Sequence, residues 1–339
     1  MTYLAEFPKL GLSFELNPVA FAVGDFQIRW YGIILALGFV CGLLYAFSSL
    51  KRMNINSDKF FDVVLVGTIG AIIGARIYYV LFYYPLNEFF SVILNIRDGG
   101  LAFYGSLIGA LACGMIMAKV KKLNVFAVLD VASLGFLIGQ AIGRWGNFVN
   151  QEAFGTVTDL PWGMSSQNTN GLIVHPCFLY ESLLCAIGFL LLHIFTKKFR
   201  RYDGQTFLLY ILWYGAIRFL IEGLRTDSLF FNFFGAELRI SQVLAGLTAL
   251  LAIVLLIAFR NRTVLSGCGS SAAIEAHGLI LGSAEEDSSK KAKKEKKEKN
   301  EDNSSTIFGD VDKKLDLEEI TLDEDTEENT SSDSKNADE

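Results

Sequence analysis

Seven apolar stretches, each long enough to cross a bilayer, follow one another between residues 30 and 259. A membrane span needs about 17–25 predominantly apolar residues. Stretches near 30–50, 60–84, 101–119, 125–143, 177–196, 205–223 and 240–259 meet that length. In hydrocarbon every backbone N–H and C=O must be paired within the protein, which leaves helices or closed barrels. Runs this long and continuous predict helices. The expected fold is therefore an all-α polytopic membrane protein with seven transmembrane helices. Trp30, Tyr31, Tyr83, Tyr84 and Trp145 stand near the span ends, where interfacial aromatic residues belong.

The charges give an orientation and divide the chain. Lys51, Arg52 and Lys59 follow the first span, Lys119, Lys121 and Lys122 the third, Lys197, Lys198, Arg200 and Arg201 the fifth, and Arg260 and Arg262 the seventh. The alternate loops are poorer in basic residues. The positive-inside rule then places the N-terminus outside and the C-terminus in the cytoplasm. Residues 260–339 hold 12 Lys/Arg against 21 Asp/Glu, and the remainder 18 against 15, so the net charge of −6 describes the tail. Residues 290–299 are almost all Lys and Glu, a composition too polar to bury a core. Three parts follow: an outer interfacial segment over 1–29, a seven-helix transmembrane domain over 30–262, and a disordered charged tail over 263–339. If the tail is dispensable, deletion after Arg262 leaves function intact. No cleaved signal peptide is read at the N-terminus. The cysteines at 41, 113, 177, 185 and 268 form no CxxC or metal-ligand spacing. No metal and no cofactor are expected, and no nucleic-acid partner.

With this orientation the polar residues inside the spans collect toward one leaflet. Arg76 lies ~24 Å along the second span from residue 60. Tyr214, Arg218 and Glu222 fall at i, i+4 and i+8, on one helix face. Tyr31 opens the first span. The Arg97-Asp98-Gly99-Gly100 turn and Tyr104 open the third, and Arg144 and Asn147 close the fourth. His175, Tyr180 and Glu181 open the fifth. Arg76, Arg144, Arg218 and Arg225 offer rigid guanidinium forks suited to phosphate. Each is equally a partner for Glu152, Glu181 or Glu222, so an ion-pair network that only holds helices together stays open beside the functional reading. Ionisable groups in a span default to a functional reading. A transporter for an anionic solute is the main alternative to an enzyme. It would need polar residues through the full depth, and the inner ends show only basic anchors.

The segment Gly143-Arg144-Trp145-Gly146-Asn147-Phe148-Val149-Asn150-Gln151-Glu152-Ala153-Phe154-Gly155 resembles the signature of the bacterial phosphatidylglycerol–prolipoprotein diacylglyceryl transferase family. Arg29-Trp30-Tyr31-Gly32, Gly74-Ala75-Arg76, Gly99 through Gly105, His175-Pro176 with Leu179-Tyr180-Glu181, and Tyr214 through Arg225 resemble it too, in the same order over residues 15–260. The resemblance implies transfer of the diacylglyceryl group of phosphatidylglycerol to the lipobox cysteine of a prolipoprotein signal peptide, at the outer face of the cell membrane. It implies that Arg144 and Arg218 hold the lipid phosphate. Asn147, Asn150, Glu152 and Gly155 would shape the pocket, Tyr31, Tyr214 and Glu222 would support it, and Arg76 and Arg225 would add to substrate binding. The partners implied are phosphatidylglycerol, the prolipoprotein peptide and membrane lipids. Many members carry a His in the Gly-Gly-Leu segment, where this chain has Tyr104. Tyr104 and Glu152 are both candidates for handling the thiol proton, and neither is singled out.

Overall fold

A computed structural model describes residues 2–24, 26–85, 89–94, 99–226, 230–233, 236–276 and 278. Arg97 and Asp98 of the expected turn lie outside the described residues, as does the chain from 279 onward. The main elements are α1 (Trp30–Leu50), α2 (Ser57–Tyr83), the short α3 (Phe89–Val92), α4 (Phe103–Val120), α5 (Val125–Asn150), α6 (Cys177–Lys198), α7 (Gln205–Glu222) and α8 (Ile240–Ala258). Among the described residues six helices are long and apolar enough to cross a membrane: α1, α2, α4, α5, α6 and α8. The chain is thus a mostly helical, multi-pass membrane protein. The stretch expected near 205–223 also folds as a helix, but its polar face keeps α7 outside that set of six.

Small residues set how the helices meet. Without a hydrophobic driving force in lipid, helices associate by close packing. Antiparallel α1 and α5 touch at Gly38–Gly139 and Gly42–Gly135, where a methyl group on Gly42 would lie 2.7 Å from the Gly135 carbonyl oxygen. On α2, Gly70 and Gly74 meet Gly109 and Gly105 of α4 in the same way. A single buried cluster joins both pairs near the ends of α1 and α4. It includes Ala46, Leu50, Phe60, Val63, Ala118, Val128 and Val131.

Among the described residues three small sheets decorate the helices. The strands β1 (Tyr3–Phe7) and β2 (Leu12–Leu16) form a hairpin, and β1 also pairs with β5 (Ser165–Ser166) in the loop after α5. Phe7 of that hairpin packs on Phe148, whose ring stacks on Phe178 at 4.6 Å. The N-terminal segment therefore covers the end of the bundle where α5 finishes and α6 begins. A second hairpin, β3 (Val19–Val23) and β4 (Phe26–Arg29), runs straight into α1, and a third, β6 (Phe230–Phe233) and β7 (Ala236–Arg239), runs straight into α8.

The opposite end is closed by buried charge. Arg200, which the sequence presents as one more surface anchor, is fully buried and pairs with the equally buried Asp130 at 2.8 Å. Asp130 also accepts the Gly204 and Phe207 N–H groups. The chain beyond α8 completes this lock. Arg200 Nε donates to the Cys268 carbonyl at 3.0 Å, the Cys268 N–H donates to the Arg52 carbonyl, and Ser266 and Asn124 both bond Asp203. Leu265 is buried, as is Ala273 of the short α9 (Ser271–Ala276). Burial pushes the Cys268 thiol above its usual range, which keeps it protonated and inert. Residues 264–276, read from sequence as the start of the tail, are thus part of the folded unit.

Two tests follow. Gly42→Leu should separate α1 from α5 and lower stability by about 2 kcal/mol or more. The exposed Leu44→Ala on the same helix should change the melting temperature in detergent very little. Truncation after Gly278 should keep that melting temperature, and truncation after Arg262 should lower it by roughly 5–10 °C. Equal values for the two truncations would show that the segment contributes nothing.

Candidate active site

The end of α5 begins the site. Arg144, Asn147 and Asn150 recur at three-residue spacing and share a face. The helix stops at Gln151, which takes a left-handed conformation (φ 52°), and Ala153 repeats it (φ 59°). Two non-glycine residues in that region within three positions mark a backbone held against its preference. Gln151 is held by its own amide, which donates to the Phe148 carbonyl at 2.6 Å, and by Asn168, which donates to the Gln151 carbonyl at 2.9 Å. The turn brings Glu152 back over the helix end, where it accepts from Asn147 at 2.9 Å and from Asn150 at 3.4 Å.

The centre is a chain of charges shared by three helices. Arg144 of α5 is ion-paired with Glu181 of α6, and Arg218 of α7 donates to the other oxygen of Glu181 at 3.0 Å. Arg218 is also ion-paired with Glu222, and Arg239 donates to the Glu222 carbonyl. Arg144 further reaches Tyr214 at 3.4 Å and Asn147 at 3.5 Å. The carboxylates are 2% exposed, and the arginine side chains of 144 and 218 are 20% and 18% exposed. The acids are therefore the buried side of the network and the arginines its more exposed side. A buried acid that holds a guanidinium from the rear fixes its plane without covering its front.

Other expected site residues serve as structure around this centre. Tyr31 lays its ring on Gly146, where a methyl group would lie 2.6 Å from Tyr31 Cδ2. Gly155 sits where the loop crosses the end of α7. Its N–H donates to the His175 carbonyl at 2.9 Å, it bridges Arg225, and a methyl group there would meet His175 Cβ at 2.7 Å. Arg76 is nearly buried and donates to the carbonyls of Val92, Ile93, Gly99 and Gly100. It organises the segment between α2 and α4, and the structure does not bring it onto Arg144. Tyr104 is partly exposed against Phe103, and no described hydrogen bond joins it to the charged chain.

Sequence reasoning named Glu181 only as one of several partners. The structure makes it the acid common to both arginines. A carboxylate one turn into an apolar helix was the available signal. Arg239, which ends β7, joins the network without any sequence signal that singles it out. His175, Tyr180 and Trp162 form a smaller cluster beside the loop, with Trp162 Nε1 donating to the Tyr180 hydroxyl at 2.8 Å.

Fold and site together define an integral membrane protein whose helices gather a polar, arginine-fronted site at one end of the bundle. The prolipoprotein diacylglyceryl transferase family matches residues 18–258. The phosphatidylglycerol–prolipoprotein diacylglyceryl transferase of Finegoldia magna is 40% identical over 254 residues, covering 74% of this chain and 99% of its own. The enzymes of the same name from Clostridioides difficile and Clostridium perfringens are 43% and 41% identical, over 68% and 73% of this chain and 90% and 96% of theirs. The chain belongs to the prolipoprotein diacylglyceryl transferase family.

Replacing Glu181 by Gln keeps the shape and removes the charge between Arg144 and Arg218. Breaking a buried pair on one side costs about 3–5 kcal/mol. Glu181→Gln should therefore lower the melting temperature far more than Glu152→Gln, whose carboxylate is exposed. Equal shifts would remove Glu181 from the centre of the network.

Proposed function

We propose that this chain transfers the diacylglyceryl group of phosphatidylglycerol to the lipobox cysteine thiol of a prolipoprotein, releasing glycerol phosphate. The observation that carries the reading beyond family membership is the pair of part-exposed arginines held by one buried acid. In this reaction the cysteine sulfur attacks the glyceryl carbon that bears the phosphate. The C–S bond forms as the C–O bond breaks, and the bonding pair leaves on the phosphate oxygen. The thiol proton is released as the thioether forms. The phosphodiester starts with one negative charge and the departing phosphate monoester gains a second. Fixed cations stabilise that extra charge more in the transition state than in the ground state. Arg144 and Arg218 are assigned this role. The nucleophile belongs to the substrate, so the chain needs no reactive Cys or Ser of its own.

Asn147, Asn150 and Glu152 are assigned the rim of the pocket, with Tyr31, Tyr214 and Glu222 behind it. Gly155 and Arg225 fix the loop that closes it, and Arg76 shapes the approach. Tyr104, at the start of α4, and Glu152, beside Asn147 and Asn150, are the two candidates we keep for the thiol proton, with neither singled out.

We further assign the site to the outer leaflet, with the N-terminus outside and the charged tail in the cytoplasm. The support is the clustering of Lys51, Arg52, Lys121, Lys197 and Arg262 at the end opposite the site. The same orientation makes α7 the sixth of seven spans. Its 18 residues extend about 27 Å. Its polar residues Tyr210, Tyr214, Arg218 and Glu222 face protein rather than lipid.

Purified protein, phosphatidylglycerol and a peptide bearing a lipobox cysteine provide the test. A diacylglyceryl adduct on the cysteine, seen by mass spectrometry, is the expected product. Arg144→Ala should reduce its rate by about 10²–10³-fold, as removal of one oxyanion donor does elsewhere. Folded wild-type protein that forms no adduct would refute the assignment.

A further inference from the structure

At the end of the bundle opposite the site, a crevice opens between α1 and α6, where Tyr45 meets the Phe189 and His193 rings. Tyr45, Ser49 and Arg52 line it from α1 and the turn after it, His193 and Lys197 from α6, and Cys268 from the chain beyond α8. Its enclosed space is about 10 Å³, room for one water-sized group. The reaction proposed above uses none of these residues.

Arg52 and Lys197 bring two cations to the crevice, and no residue of its lining is acidic. Other basic residues at this end have acids of their own. Lys121 pairs with Asp62, and Arg200 with Asp130 and Asp203. Among the described residues neither Arg52 nor Lys197 is ion-paired. The lining is also held in place. Arg52 donates to Ser49 Oγ at 3.2 Å, and its carbonyl accepts the Cys268 N–H at 2.9 Å. The Tyr45 hydroxyl lies 2.6 Å from His193 Nδ1. With that hydroxyl donating, the ring proton sits on Nε2 and His193 adds a third donor. An ordinary interfacial anchor snorkels singly into water. Two cations that share a crevice repel each other, and an anion between them removes the repulsion.

We propose that this crevice binds the phosphate of an anionic lipid in the leaflet at that end. Arg52 follows the end of α1 and Lys197 stands in the last turn of α6, the headgroup level of a spanning bundle. The enclosed space admits one phosphate oxygen. Lys197 is exposed and Arg52 half-buried, so both can meet the phosphate from outside. There is no room for the rest of a headgroup, and the feature recognised is net charge. A zwitterionic lipid carries an ammonium beside its phosphate, which two fixed cations disfavour. Phosphatidylglycerol carries none. Cys268 makes the chain after α8 part of the site as well as of the lock described above.

Native mass spectrometry of the full chain in detergent counts the lipids that stay bound. With dioleoyl phosphatidylglycerol, Arg52→Gln/Lys197→Gln should retain one molecule fewer than wild type. It should need at least about tenfold more lipid to regain that molecule, the loss expected for hydrogen bonds to charged groups. Lys51→Gln/Lys198→Gln removes two cations at the same end that do not line the crevice, and should retain the wild-type number. Dioleoyl phosphatidylcholine should leave the crevice of wild type empty, and millimolar inorganic phosphate should not displace the bound phosphatidylglycerol. If Arg52→Gln/Lys197→Gln does not fold, Lys197→Gln alone, at an exposed position, is the probe. Equal counts in wild type and the crevice variant, or equal losses in the two double variants, overturn the site. Equal retention of phosphatidylcholine, or displacement by phosphate, overturns its assignment to an anionic lipid. The lipid count does not depend on adduct formation, so failure of the transferase reading is seen separately in the peptide assay.

Discussion

One carboxylate, Glu181, holds two guanidinium groups from two neighbouring helices, and the site depends on that sharing. Arginine is costly to place near hydrocarbon, and a pair of them repel. An acid between them converts repulsion into a three-centre clamp and ties α5, α6 and α7 at one level. Glu222 repeats the device on the far side of Arg218. Because both acids are buried, the clamp is most exposed along its cationic edge. An anion meeting that edge finds planes already set, so little ordering remains to be done on binding. The network that the sequence left open as a purely structural alternative thus holds three helices together, and in the proposed reaction the same arginines also meet the phosphate.

The spans were legible because membrane length and continuous apolar character are one-dimensional properties. So was the face carrying Tyr214, Arg218 and Glu222, since helical periodicity alone sets it. What could not be read was rotation between helices. Nothing in a linear pattern says that Glu181 of α6 points at both α5 and α7. Arg76 shows a second limit. A cation in a span reads as a ligand group, yet this one is engaged by backbone carbonyls near 92–100, and carbonyls are acceptors that every residue carries. The hairpins were missed for a different reason. Short alternating runs around Gly24-Asp25 carried a turn signal, but the adjoining spans dominated the pattern. Arg200 was misplaced because a basic residue after a span looks like an interfacial anchor, and only its tertiary partner Asp130 shows otherwise.

The two ends of the bundle are built on opposite principles. At the site end, loops and hairpins carry polar groups that face outward, and the backbone adopts uncommon conformations at Gln151 and Ala153. At the other end a buried ion pair, Asp130–Arg200, is sealed by chain that comes after α8. That order has a consequence for biosynthesis. A protein leaves the ribosome from its N-terminus, so α1 to α8 all emerge before residues 264–276. Until then Arg200 lacks the Cys268 carbonyl and the loop at Arg52–Met53 lacks its cover. The bundle is thus fastened from its last-made part. A nascent chain that ends before that point lacks the bonds that close this end.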